Sequence, residues 1–102
     1  MKINVSVQTI DEASKRLNGV AKNTPLQFSK RLSKIYKANI YLKREDLQEI
    51  RSYKIRGAYN LMKSLTDTEK KRGVVCASAG NHAQGVAYSC NALKIKVLYL
   101  CQ

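Results

Sequence analysis

Apolar residues recur at helical spacing in the first part of the chain. In residues 9–22 they fall on one face of a helix, and Thr9 followed by Glu12 is a capping-box pattern. Pro25 follows closely, and a proline disfavours helical geometry for the residue before it. The sequence therefore predicts a first helix over residues 9–22 and a break at residues 23–27.

The next stretch predicts a short helix and a strand. A helix is expected from Ser29 to Lys37, with Ser29 as its N-cap and with Leu32 and Ile35 facing inward. Residues 39–46 are predicted to form a strand that ends in charged side chains.

A longer helix is predicted after the loop at residues 48–51. Ser52 is its expected cap, and the helix should run to about Leu65. Four apolar positions at helical spacing should face a core: Ile55, Ala58, Tyr59 and Met62.

The second half predicts a βαβ unit. Residues 66–73 should form a short capped helix that ends at Gly73. Residues 74–78 form an apolar strand, residues 82–94 a helix after a glycine turn, and residues 95–101 a second strand. Because strand, crossover helix and strand favour parallel pairing, the expected fold class is α/β with a parallel sheet.

Composition narrows the class of protein. The chain has 102 residues, of which 44% are hydrophobic, enough for one small packed domain. No apolar run approaches the about 20 residues that a membrane span needs, and the N-terminal segment lacks the apolar region of a signal peptide. We therefore expect a cytoplasmic protein without membrane contact.

The charge is strongly positive but scattered. Lys and Arg number 19 against 7 Asp and Glu, which gives a formal net charge of +12. The basic residues form no block of five, and the six tyrosines do not alternate with them as base-stacking residues would. The pattern favours solvated helix faces and disfavours nucleic acid as the partner, although a basic, non-catalytic binding module remains an alternative.

Three cysteines, Cys76, Cys90 and Cys101, are widely spaced and form no C-x-x-C pair. This spacing argues against a disulfide framework and against a metal site, and it fits free thiols in a reducing compartment. Cys76 is expected in a buried strand and Cys90 on a helix, where cysteine behaves as a small apolar residue.

The glycine turn at residues 78–82 is a candidate anion site. A strand that enters a helix through such a turn leaves backbone N–H groups pointing at one spot, with the helix dipole behind them. Ser78 and Asn81 add side-chain donors, or they merely cap the helix, and the spacing leaves both interpretations open. His82 has no Asp or Ser at triad spacing, so proton transfer is not assigned to it.

Lys54 also has two interpretations. In the first turn of a helix, a lysine meets the unfavourable end of the helix dipole, which favours the neutral, nucleophilic amine. Composition alone favours a solvent-facing lysine, one of many in this chain.

Three motifs favour the interpretation of Lys54 as a reactive residue. The segments YLKREDLQ (41–48), RSYKIRGAYN (51–60) and CASAGNHAQGVAY (76–88) together resemble the pyridoxal-phosphate-dependent threonine dehydratases, most closely the biosynthetic threonine ammonia-lyases. The likeness runs from about Ile10 to Lys94. Serine racemases and related serine/threonine dehydratases share the lysine and Ser-x-Gly-Asn-His patterns and remain alternatives.

The resemblance implies a fold-type II enzyme, similar to the tryptophan synthase β-subunit, with a partial three-layer parallel sheet and flanking helices. It implies that Lys54 binds pyridoxal 5'-phosphate covalently and removes the α-proton of the substrate. Asn81 would hydrogen-bond the 3-hydroxyl oxygen of the cofactor. The substrate carboxylate would be held by the turn formed by Ser78, Ala79, Gly80, Asn81 and His82.

The implied reaction converts L-threonine, and possibly L-serine, through loss of water and ammonia; L-threonine gives 2-oxobutanoate in the first step of isoleucine biosynthesis. Full-length relatives are expected to be homo-oligomers. Position 53 is usually Phe in this motif, and Tyr53 adds a hydroxyl that needs a partner.

The glycine-rich phosphate loop of the family has no counterpart among the five glycines. We therefore expect residues 1–102 to be the N-terminal part of a catalytic domain and to be inactive alone. A non-functional remnant is the remaining alternative.

Overall fold

The computed structural model describes residues 5–101. Residues 1–4, part of the segment inspected for a signal peptide, and Gln102 lie outside that range. The helices are α1 (Val7–Leu17), α2 (Lys30–Tyr36), α3 (Lys54–Ser64), α4 (Asp67–Arg72) and α5 (Asn81–Leu93). The strands are β1 (Leu26–Phe28), β2 (Tyr41–Lys43), β3 (Val74–Cys76) and β4 (Val97–Tyr99), and a 3-10 turn spans Glu45–Leu47. Between residues 5 and 101, no helix is both long and apolar enough to cross a membrane.

Strands β3 and β4 pair in parallel, with Val74 opposite Val97 and Cys76 opposite Tyr99, and α5 connects them. The predicted βαβ unit is therefore confirmed. The strand predicted at residues 39–46 is shorter and pairs antiparallel with β1, which the sequence pattern did not predict. The described residues thus contain two separate two-stranded sheets.

The first helix begins and ends earlier than predicted. Ser6, not Thr9, is its N-cap, and Thr9 is the partner that completes the capping box with Ser6. Glu12 instead forms an ion pair with Arg16, at 3.6 Å. The helix ends at Leu17 because Gly19 follows in the left-handed region, with φ of 77°, where a helix cannot continue.

Ser29 caps α2 as predicted, because its Oγ accepts a hydrogen bond from the backbone N–H of Leu32. The inward orientation predicted for Ile35 is wrong: its side chain is 58% exposed, whereas Leu32 is half-buried. The buried core consists of residues from α3, α5, β3 and the loop before β4, so α2 has no large apolar surface against which to bury a full face.

The third helix begins at Lys54, and the predicted cap is wrong. Tyr53 occupies the N-cap position without a side-chain hydrogen bond, because the chain turns through Arg51 at a φ of 61° before the helix starts. Ser52 is buried instead, and its Oγ has no hydrogen-bond partner among the described residues. The predicted core positions are confirmed, since Ile55, Ala58, Tyr59 and Met62 are all buried.

Helix α4 has the predicted extent. Thr66 and Glu69 form a reciprocal capping box, and Gly73 ends the helix at a φ of 85°. Gly73 also lies close to the neighbouring chain segment, because a Cβ at this position would be 2.7 Å from the carbonyl oxygen of Lys96.

The main core lies between α3, α5 and the β3–β4 pair. Its buried members are Ala58, Met62, Cys76, Val86, Cys90 and Ile95. Cys76 and Cys90 are buried thiols, as predicted, and burial raises the pKa of Cys90 above its ordinary value. The packing of α3 against α5 is the most extensive contact between elements and brings their N-terminal turns to the same region.

Candidate functional site

Lys54 lies in the first turn of α3, as the sequence predicted, and is the first residue of that helix. Its side chain is half-buried, and the Nζ atom lies 5.3 Å from the centroid of the Tyr53 ring, within cation–π range. Tyr53 is 61% exposed, so the hydroxyl that distinguishes it from Phe needs no partner from a protein core. The amine is thus placed at the helix N-terminus, beside an aromatic ring.

The predicted anion turn connects β3 to α5. Gly80 is the N-cap of α5 and provides no side-chain cap, so neither Ser78 nor Asn81 caps this helix. The Oγ atom of Ser78 accepts a hydrogen bond from the Gly80 backbone N–H at 3.2 Å, and Asn81 is the first helical residue. Of the two interpretations left open by the sequence, simple helix capping is therefore wrong.

Gly80 leaves the turn open. A Cβ at this position would meet no atom of the described chain within 4 Å, and the residue is exposed. Packing therefore does not require glycine here. The missing side chain leaves room for a ligand that approaches the backbone of the turn closely.

Lys54 and the turn are brought together by the contact between α3 and α5. A Cβ at Gly85 would be 3.0 Å from the carbonyl oxygen of Lys54. Asn81 lies one helical turn before Gly85 and therefore on the same face of α5. Of the predicted site residues in the turn, Ser78 is half-buried, whereas Ala79, Gly80, Asn81 and His82 are exposed, and Asn81 shares its face of α5 with Gly85.

A polar network that the sequence did not reveal holds the first turn of α3. Arg56 donates two hydrogen bonds to Glu45, each 2.8 Å long, and the Oγ1 atom of Thr24 donates a third to the same carboxylate. Hydrogen bonding from Arg56 is the main reason that the pKa of Glu45 falls to about 2. Glu45 is therefore an anion that ties the 3-10 turn to α3 two residues after Lys54.

Gln48 extends this network to the loop after α1. It is 1% exposed, and its amide donates to the carbonyl of Lys22 at 2.9 Å and accepts from the Lys22 N–H at 2.8 Å. Arg56 donates a third hydrogen bond, from Nη2, to the same Lys22 carbonyl at 3.0 Å. The only sequence signal for these contacts was that Glu45, Gln48 and Arg56 lie inside two of the quoted motifs.

An open cavity of about 480 Å³ adjoins the glycine turn and is lined by Ala77, Ser78, Ala79, Leu100 and Cys101. The thiol of Cys101 lies 3.8 Å from the Ser78 carbonyl oxygen, which places an exposed sulfur beside the turn. A larger cavity of about 620 Å³ lies between α1 and Arg56 and contains none of the predicted site residues.

Known proteins resemble this chain closely. Residues 17–101 match the family described as pyridoxal-phosphate dependent enzyme. The chain is 54% identical over 98 residues to "L-threonine dehydratase biosynthetic IlvA" of Staphylococcus epidermidis, covering 96% of this chain and 23% of that protein. It is 63% identical over 91 residues to the protein of the same name from Mycobacterium leprae, covering 89% and 21%.

Solved structures give the same result. The structure of maize serine racemase superimposes with a TM-score of 0.89 at 29% identity, over 97% of this chain and 31% of that one. The threonine deaminase of T.th. superimposes with a TM-score of 0.84 at 35% identity, over 95% and 30%. These likenesses confirm the predicted α/β class and fold type II.

The chain spans less than a quarter of the length of the two dehydratases that it matches. The family match nevertheless covers most of its residues and includes all three motifs. The chain belongs to the family of pyridoxal-phosphate-dependent enzymes.

Proposed function

We propose that the chain is the N-terminal part of the catalytic domain of a biosynthetic threonine ammonia-lyase. Its substrate would be L-threonine, and its products 2-oxobutanoate and ammonia, in the first step of isoleucine biosynthesis. The observation that carries the proposal is the close approach of α5 at Gly85 to the Lys54 carbonyl, which supports a site formed by the half-buried Lys54 and the turn before α5. The 54% and 63% identities to the two dehydratases support the choice of reaction.

The residues present fit pyridoxal phosphate. A carbonyl-bearing cofactor needs a primary amine, and Lys54 supplies one at the edge of the core rather than in open solvent. The turn from Ser78 to His82 contains no carboxylate, and it lies at the positive end of the dipole of a 13-residue helix. The site thus combines a nucleophile with neutral hydrogen-bond donors.

Each residue has a separate task. Lys54 would hold the cofactor through Nζ and take the α-proton of the substrate on the same atom. Asn81 would donate a hydrogen bond to the 3-hydroxyl oxygen of the cofactor. The backbone N–H groups of the turn, together with Ser78, would bind and orient the substrate carboxylate.

Pyridoxal phosphate, when bound, supplies the electron sink for this chemistry. Binding of the carboxylate at the turn would orient the substrate so that Lys54 could take the α-proton. The packing of α3 against α5 supports this proposal, because it joins the helix that begins at Lys54 to the helix that follows the turn. This arrangement favours proton removal at Cα over reactions elsewhere on the amino acid.

A serine racemase is the second candidate, because the maize enzyme has the higher TM-score of the two structures described above. Racemisation and dehydration of serine both begin with removal of the α-proton, which the same lysine can perform. The higher identity to the threonine enzymes favours dehydration of threonine. In either case the partner is a small amino acid, and we propose a cytoplasmic, homo-oligomeric parent protein.

A chimaera tests the proposal. Residues 5–101 would replace the matching segment of the S. epidermidis dehydratase, and formation of 2-oxobutanoate from L-threonine would be followed beside formation of D-serine from L-serine. We expect threonine turnover within about tenfold of the unmodified relative, and no turnover above background when the chimaera carries Lys54→Ala. A folded chimaera without threonine turnover, or with equal turnover after Lys54→Ala, would refute the assignment.

A further inference from the structure

Gly85 is a buried glycine inside α5 whose backbone does not require glycine. It lies in the middle of a regular helix, and its φ is not among the positive values found in the chain. A Cβ at this position would lie 3.0 Å from the carbonyl oxygen and 3.1 Å from the carbonyl carbon of Lys54. The space around it, rather than its conformation, excludes a side chain.

The next turn of α5 also carries a small residue, Ser89, which allows α3 to pack closely against it. Ser89 is fully buried, and its Oγ donates to the carbonyl of Gly85 at 2.8 Å. The hydroxyl is therefore satisfied within its own helix and needs no acceptor from α3. Gly85 and Ser89 are therefore two small residues, one helical turn apart, on the same face of α5.

The atom that Gly85 contacts cannot easily move away. The carbonyl of Lys54 belongs to the backbone of α3, where regular helical geometry makes it the acceptor for the N–H four residues later, that of Ala58. The Cβ of Ala58 would lie 3.4 Å from a Cβ at position 85 and blocks movement along the helix. A methyl group at position 85 would push the first turn of α3 away by a few tenths of an ångström.

We propose that Gly85 is a positioning residue that sets the separation between Lys54 and the turn at residues 78–82. Asn81 lies one turn before Gly85 on the same face, so the distance from α5 to α3 at Gly85 also fixes how far the Lys54 amine reaches towards that turn. The importance of this distance for catalysis rests on the proposed function. The steric contact between Gly85 and Lys54 does not depend on the proposed function.

Amide hydrogen exchange tests the contact without cofactor. Gly57→Ala is the matched control, because a Cβ at Gly57 in α3 would meet nothing within 4 Å in the described chain. Gly85→Ala should speed exchange of the Ala58 amide about fivefold or more, because it disturbs the acceptor of that N–H, and should leave the Met62 amide unchanged. Unaltered Ala58 exchange in Gly85→Ala would overturn the proposal.

Chemical labelling then measures the consequence for the amine. The chain would be incubated with pyridoxal phosphate and borohydride, and the label on Lys54 would be compared with that on Lys63, an exposed lysine of the same helix. Gly85→Ala should lower the Lys54-to-Lys63 ratio about three- to tenfold, whereas Gly57→Ala should keep it, because small displacements of a reacting group cost rate steeply. Equal ratios in both variants would overturn the positioning role.

Two further results of these experiments must be interpreted: no preference for Lys54 in the unsubstituted chain, and failure of Gly85→Ala to fold. If the unsubstituted chain shows no preference for Lys54, cofactor binding by Lys54 in this segment alone is refuted, the chimaera decides the proposed function, and Ala58 exchange still decides the role of Gly85. If Gly85→Ala lacks a cooperative unfolding transition, the double variant Gly85→Ala/Ala58→Gly replaces it, because loss of the Ala58 methyl gives α5 room to shift. A normal labelling ratio in that variant would count against the proposal, and a reduced ratio would support it.

Discussion

Replacing Glu45 by glutamine should remove a pH-dependent part of the stability of the fold. The carboxylate accepts two hydrogen bonds from Arg56, which lower its pKa from 4.5 to about 2. At about 1.4 kcal/mol per pKa unit, this lowering corresponds to about 3 kcal/mol of folding free energy. Because the Arg56 side chain is 34% exposed, solvent screening reduces our expectation to about 2 kcal/mol.

The sign of the effect follows from the lowered pKa. Since the folded-state value lies below the unfolded one, the stabilisation is complete above about pH 4.5 and is lost as the pH falls towards 2. In urea unfolding followed by circular dichroism, Glu45→Gln should be about 2 kcal/mol less stable than the parent chain at pH 7. The two should agree within about 0.5 kcal/mol at pH 2.

Glu49→Gln is the matched control for this experiment. Glu49 lies 3.1 Å from the amine of Lys22, but both side chains are more than half exposed, so its loss should cost less than about 0.5 kcal/mol. A stability difference between Glu45→Gln and the parent chain that stays constant from pH 7 to pH 2 would refute the reasoning.

Three further substitutions test the fold by urea unfolding. Thr66→Ala removes the capping box with Glu69 and should lower the free energy of unfolding by about 1 kcal/mol; an unchanged midpoint would contradict this. Met62→Ala empties a position that is 4% exposed and should cost about 2–4 kcal/mol, whereas a cost below about 1 kcal/mol would mean that the core is loosely packed. Gly73→Ala should cost at least about 1 kcal/mol more than Gly19→Ala, because both glycines have positive φ but only the former would bring a Cβ to 2.7 Å from a carbonyl oxygen; equal costs would contradict the contact.

Local patterns were enough to predict much of the fold. Ser29 and Thr66 cap the helices that follow them, and Met62 faces the core, because caps and helical periodicity involve residues only three or four positions apart. The βαβ unit could also be predicted, since its glycine turn and its two apolar strands are continuous in sequence.

Features that depend on distant contacts were not predictable. The pattern placed Ser52 at a helix start, but the left-handed turn at Arg51 shifts the first helical residue to Lys54 and buries the serine. Ile35 has the spacing of an inward residue, yet no core surface lies against it. Each outcome depends on which other segment packs nearby.

In the candidate site, too, local features could be predicted from the sequence and contacts between distant residues could not. The turn from Ser78 to His82 and the location of Lys54 in the first turn of α3 follow from short motifs. The contact that joins them, from Gly85 to the Lys54 carbonyl, connects two helices that are far apart in sequence and depends on their packing angle. The pairing of Glu45 with Arg56 likewise required the structure.

Borohydride trapping tests most directly whether Lys54 is the residue that binds the cofactor. The chain would be equilibrated with pyridoxal phosphate, reduced, digested and mapped by mass spectrometry, with Lys54→Ala treated in parallel. We expect the label on the peptide that contains Lys54 to exceed that on any other lysine by about tenfold, and to be absent from that peptide in the variant. An even distribution over the lysines, or a preference for a different lysine, would contradict the assignment of Lys54.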